Sequence, residues 1–129
     1  MRARLLLPLL ALTPCGLSAC AARHTTEALH TYSQHLKPGI TRKEVEDYFR
    51  SNKIPFTRMC CVQAHNTYPL DDLVKIGTQH FPIPCGDQSY YVAFIFSDRP
   101  NSNVALGATP DDLDTLQSII ALHWVDDCF

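Results

Sequence analysis

Six cysteines and six histidines stand among 129 residues, and the thiols offer the first chemistry. Cys60, Cys61, Cys85 and Cys128 form an even set, which in a small exported domain points to disulfides. Four cysteines allow three pairings. A bond between Cys60 and Cys61 is the least favoured, because neighbours on an extended chain point to opposite sides. The other two pairings join one of these residues to Cys85 and the other to Cys128, and spacing does not choose between them. Cysteine with histidine also suits zinc, but His24, His30, His35, His65, His80 and His123 form no H-x-x-x-H pair and no C-x-x-C occurs. No metal and no cofactor is therefore expected.

Catalytic signatures are missing. There is no G-x-S-x-G, no S-x-x-K and no H-E-x-x-H. Asp111, Asp112 and Asp114 form a small acidic group, and Asp98 lies near Asn101 and Asn103, but neither set has the ligand order of an EF-hand loop. Turn and helix-start roles account for both. His123 beside Trp124 reads as a residue lining a strand face, and Asp126 and Asp127 as solubilising charges. No catalytic residue is expected, and no small-molecule substrate is indicated.

Charge narrows the partners. Eleven basic against thirteen acidic residues give a formal charge of -2, without the basic excess that nucleic-acid binding requires. At 46% hydrophobic and 19% charged the chain has the composition of a globular domain, not of a disordered one. Its start is different in character. Arg2 and Arg4 precede the apolar run Leu5 to Leu12, and Gly16, Ser18 and Ala19 follow, which is the order of a secretory signal peptide. Eight apolar residues are far short of the ~20 that span a bilayer.

Leu17-Ser18-Ala19-Cys20 resembles the lipobox of bacterial lipoproteins. The resemblance implies cleavage between Ala19 and Cys20, diacylation of the Cys20 thiol and acylation of the new amino group with palmitate-type chains. Residues 1–19 are then the discarded signal, 20–23 a lipidated end and short tether, and 24–129 one domain. The mature chain has 110 residues and, without Arg2 and Arg4, a charge of -4. Two or three acyl chains hold a protein on a membrane without help from a basic patch. Alanine rather than aspartate at position 21, by resemblance to the sorting rules of proteobacterial lipoproteins, favours the periplasmic face of the outer membrane.

The elements follow from periodicity. Ala28, Leu29, Tyr32 and Leu36 give Arg23 to Leu36 one apolar helical face, ended by Lys37-Pro38-Gly39. Thr41 and Glu44 have the spacing of a capping box, with Ile40 and Val45 at the staple positions. A second helix then runs to about Ser51 or Asn52, burying Val45, Tyr48 and Phe49 and turning Arg42, Lys43, Glu46, Asp47 and Arg50 outward. Strands are expected at Ile54 to Val62, Tyr90 to Ser97 and Gln117 to Val125. The segment Pro69 to Gly77 is expected to form a short helix or an extra strand, and Thr109 to Asp112 a helix start. The fold class is α+β, two N-terminal helices packed on a three-stranded antiparallel sheet, an ααβββ two-layer sandwich. In such a meander the end of the first strand, the start of the second and the end of the third share one edge, which would gather all four cysteines.

Lys37-Pro38-Gly39-Ile40-Thr41-Arg42-Lys43-Glu44-Val45 resembles the junction between the two helices of the SmpA/OmlA (BamE) lipoprotein family, and beta-lactamase inhibitor protein domains are similar in fold. The resemblance implies the same two helices and three strands in a protein of the cell envelope. Tyr90 to Ser97 is apolar on both faces while two short helices cover one, so a partner or the long 63–89 connection is expected on the other. The expected function is a lipid-anchored, non-enzymatic protein-interaction module, contacting the membrane through its lipid and an envelope protein through its sheet. The alternative is an enzyme inhibitor that presents a disulfide-held loop between Gln63 and Gly86.

Overall fold

The computed structural model describes residues 17–59, 62, 70–81, 86–97 and 112–125. Its elements are α1 (Leu17–His35), α2 (Arg42–Ser51), β1 (Thr57–Met59), β2 (Asp71–Gln79), β3 (Gln88–Ser97) and β4 (Thr115–Val125). The strands form one antiparallel sheet in the order β1-β2-β3-β4. The α+β class and the two helices agree with the sequence. The sheet has four strands, not three.

The fourth strand is β2, in the segment left open between helix and strand. Val74 and Ile76 face the helices, and the register with β3 shifts between Lys75 and Gly77, which turns Thr78 to the other face opposite Ser89. Val74 and Ile76 join Val92, Phe94, Phe96 and Leu116 beneath both helices, packed against Tyr32 and Leu36 of α1 and Val45 and Phe49 of α2. The insertion reverses the sense of β1. Met59 now lies opposite Asp71 at one end of the sheet, while Gln79, Gln88 and Val125 form a row at the other. The shared edge expected for the four cysteines is therefore absent from this topology. Cys60, Cys61, Cys85 and Cys128 themselves lie outside the described residues.

Local chemistry accounts for the helix boundaries. α1 starts at Leu17, so residues 20–23, expected as a lipidated end and short tether, are helical. Alanines favour this, and the hydroxyls of Thr25 and Thr26 donate to the carbonyls of Ala21 and Ala22 at 2.8 and 3.1 Å. The chain leaves α1 through Gly39 at φ 95°, a left-handed conformation that glycine adopts without a Cβ clash. The capping box is formed: Thr41 N–H donates to Glu44 Oε2 at 2.7 Å and Glu44 N–H to Thr41 Oγ1 at 3.3 Å. The same turn is tied to β4, where Gly39 N–H donates to the Leu116 carbonyl and Leu116 N–H to the Ile40 carbonyl, each at 2.8 Å.

The second face of the sheet is covered at its middle. Leu73, Ala93 and Ile95 are buried there, with Val62, Tyr91, Ile120, Leu122 and Trp124 packed around them. Val62 comes from the connection between β1 and β2, so chain covers part of the face that had suggested a partner. The 109–111 part of the expected third helix start lies outside the described residues. Asp112 and Leu113 form a turn.

Phe49 is fully buried, and its ring meets those of Tyr32, Tyr48, Phe56 and Phe94 at centroid distances of 4.8 to 6.4 Å. Phe49→Ala is expected to cost about 3–5 kcal/mol in urea unfolding, against about 1 kcal/mol for loss of the cap in Thr41→Ala. Equal effects would contradict this placing of the core.

Candidate functional site

The polar centre of the molecule is Arg42, expected on the outer side of the second helix and found completely buried. As the first residue of α2 it points under the helix toward the sheet. Its Nη1 donates to Asp72 Oδ1 at 2.7 Å and its Nε to Asp114 Oδ2 at 3.3 Å. Its Nη2 donates to the carbonyl of Leu70. The guanidinium carbon stands 3.9 Å from the centre of the Phe96 ring, an arrangement that suits a planar cation. Backbone bonds reinforce the site, Arg42 N–H donating to the Asp114 carbonyl at 2.7 Å and Lys43 N–H to that of Asp112 at 3.0 Å.

Two carboxyls flank this cation on β2. Asp71 Oδ1 accepts the Phe96 N–H at 3.2 Å, where the β3–β4 register shifts between Ile95 and Phe96. Bulges leave backbone groups without ladder partners, and Asp71 supplies one. Burial pushes the Asp71 carboxyl upward. It pushes Asp72 up to about 7 against the opposing pull of Arg42. Asp71 Oδ2 and Asp72 Oδ2 have no hydrogen-bond partner among the described residues, which favours the protonated form further. Glu46, also expected outside, is buried one turn along α2. It receives Arg50 on Oε2, while Arg58 of β1 donates twice to Oε1, at 2.9 and 2.6 Å. The acidic residues predicted as turn formers thus divide, Asp112 remaining exposed and Asp114 becoming a buried partner of Arg42.

Cys20 is at the other end of the fold, half-buried in the second turn of α1. With His24 it lines a groove of about 420 Å³ whose other wall is the end of β2, from Ile76 to His80. On the opposite side of α1, Ala22, Thr25 and Thr26 face Tyr90, Ala121 and His123. The first turns of α1 therefore lie over the sheet end formed by Gln79, Gln88 and Val125. His80 Nδ1 stands 2.7 Å from Asp87 Oδ2, and His123 stacks on Tyr90 at 5.7 Å. No cluster of three metal-ligating side chains occurs among the described residues, and no helix among them is long and apolar enough to cross a membrane.

Of the residues singled out in the sequence, the structure places Cys20 and leaves the other four cysteines outside its described part. Ala19 lies within α1. What sequence reading missed is the set Arg42, Glu46, Asp71, Asp72 and Asp114. The available signal was the Asp71-Asp72 pair opening an otherwise strand-like run, unusual because aspartate is depleted in strands. No protein-family model, no curated protein and no solved structure matches the chain.

Removing Arg42 leaves Asp72 and Asp114 buried without their cation, so Arg42→Ala is expected to cost about 3–5 kcal/mol, measured by urea unfolding. A loss below about 1 kcal/mol would contradict the burial of this pair. The proton on Asp72 gives a second expectation. A carboxyl raised to about 7 in the folded chain keeps a proton that the unfolded chain releases near its ordinary value of 3.8. Stability contributed by Asp72 is thus greatest at low pH and declines as pH rises through about 7. Asp72→Asn is expected to flatten that decline, and an unchanged slope in the variant would refute it.

Proposed function

We propose that this protein is a lipid-anchored component of the bacterial cell envelope, carried on acylated Cys20 at the periplasmic face of the outer membrane, whose domain is a non-enzymatic protein-interaction module. The observation that carries the reading is the position of Cys20. The lipobox-like Leu17-Ser18-Ala19-Cys20 runs directly into α1, and Cys20 already lies against the end of β2. An anchor so placed has no slack. It would hold the domain on the bilayer surface with β1 and the start of β4 facing away.

The interaction role is supported by the long strand β4. It pairs with β3 along one side, and the other side carries, among the described residues, a single bridge from Thr41 to Thr115. Beyond Leu116, which the α1–α2 turn engages, the rest of β4 from Gln117 to Val125 is an edge that can template an added strand. Gln117, Ala121, His123 and Val125 are exposed along it. By contrast, the inhibitor reading needs a free loop between Gln63 and Gly86, and β2 occupies nine residues of that segment inside the sheet. That leaves it the weaker reading. The charges of the Arg42 site are bonded to one another beneath α2, an arrangement that supports a structural role for them.

Cells fed an alkyne-tagged palmitate are expected to label the wild-type protein and leave Cys20→Ser unlabelled, in the detergent-poor phase of a Triton X-114 extraction. An unlabelled wild type would overturn the anchor. A photocrosslinking residue at His123 is expected to give a discrete adduct that is absent when it is placed at Lys43 on α2. Identical adduct patterns at the two positions would overturn the edge-strand site.

A further inference from the structure

We propose that a cleft beside β1, on the face of the sheet away from the helices, receives one large apolar side chain from an extended segment of a partner protein and draws a nearby carboxylate of that segment to Lys75. The cleft has a volume of about 250 Å³. Leu73, Lys75 and Tyr91 line it from β2 and β3, and Pro55, Thr57 and Met59 from the chain that enters and forms β1. Register accounts for this grouping. Thr57 lies opposite Leu73, and Lys75 opposite Tyr91. Residues paired across strands and two apart along them share a face, and here it is the face where Leu73 and Tyr91 pack with Trp124. The Tyr91 ring is held in place by the Trp124 ring stacked on it at 4.2 Å.

Size, charge and position choose the occupant. A cavity of about 150 Å³ accepts benzene, and pockets for whole drug-sized ligands begin near ~300 Å³, so this cleft suits one bulky side chain and not a longer molecule. Met59, 40% exposed, supplies an adaptable wall. Lys75 is the charged residue among those lining the cleft, and it is exposed. Its Nζ stands 5.8 Å from the centre of the Tyr91 ring, and no carboxylate among the described residues pairs with it. The complement is therefore an anion. β1 is the outermost strand, its three residues are exposed, and among the described residues no strand pairs with its outer side. Arg58 leaves that side clear by turning to Glu46 under α2. A strand added to β1 runs about 4.8 Å beyond Thr57 and Met59, and a large side chain on the same face reaches over them into the cleft. Backbone pairing then supplies affinity and the cleft supplies selectivity, which favours a peptide over a free aromatic acid. Counting on from Thr57 opposite Leu73, Lys75 is level with Pro55, two residues along the chain. The carboxylate therefore belongs two residues from the apolar side chain, on the same face of the added strand.

This site is on the opposite edge of the sheet from β4 and stands whether or not Cys20 is acylated. Its test is an NMR titration of the purified, isotope-labelled full chain with the acetylated peptide amide TETFTET, whose acids share a face with the ring. TTEFETT has the same composition with its acids on the other face, and TETATET lacks the ring. Saturable shifts of the Thr57, Leu73, Lys75 and Tyr91 amides are expected with TETFTET. Binding is expected to weaken about tenfold or more for TETATET, and about two- to fivefold for TTEFETT or in Lys75→Gln, a change at an exposed position. No saturable shift of these four amides at millimolar TETFTET, or shifts confined to β4, would overturn the site. Equal binding of TETATET would overturn the apolar occupant, and equal binding of TTEFETT the role of Lys75. A free aromatic acid, 3-phenylpropanoate, that binds as tightly as TETFTET would overturn the assignment to a peptide.

Discussion

The fold depends on one buried cation. Arg42 opens α2, and its guanidinium joins Asp72 on β2, Asp114 ahead of β4 and the Leu70 carbonyl, with the ring of Phe96 on β3 against its plane. A charge taken out of water is costly unless its donors are satisfied and its counter-charges lie close. Here each of the three guanidinium nitrogens has an acceptor. That requirement ties together four segments far apart in the chain and sets the register at which α2 lies on the sheet. It also explains the strand that opens with two aspartates: Asp72 serves Arg42, and Asp71 accepts the Phe96 N–H where the β3–β4 register shifts.

Much of this was readable from residues. The Thr41–Glu44 box is a local hydrogen-bond exchange, and it forms as the spacing implies. The apolar face of α1 and both faces of β3 and β4 follow from period alone. Two features were not readable for the same physical reason. Polar residues were assigned to the outside of α2 by pattern, yet Arg42 and Glu46 are buried because partners far along the chain, Asp72 and Arg58, satisfy them. A pattern confined to one helix has no term for such partners. Likewise β2 carries aspartates and a glycine that disfavour a strand locally, and packing under the helices overrides them.

Adding β2 changes more than a count. It turns the end of β1 away from the start of β3, so the two ends of the sheet differ in character. One end holds Cys20, the groove along β2 and the row Gln79, Gln88 and Val125. The other holds the Arg42 centre, where the α1–α2 turn is bonded to β4. Under the proposed function, a lipid anchor at the first end, an ionic centre at the second and the open edge of β4 between them would make a scaffold held close to a surface and able to accept a strand from a neighbour.

Native-state hydrogen exchange tests the dependence on Arg42 most directly. The amides of Arg42, Phe96 and Leu116, which donate to the Asp114 carbonyl, the Asp71 carboxyl and the Ile40 carbonyl, report on three sides of the centre. If the fold depends on it, they exchange only by global unfolding, with the same free energy as Val74 and Val92 in the apolar core. Exchange of these three through a local opening, while Val74 and Val92 stay protected, would show that the sheet and helices hold together without the centre.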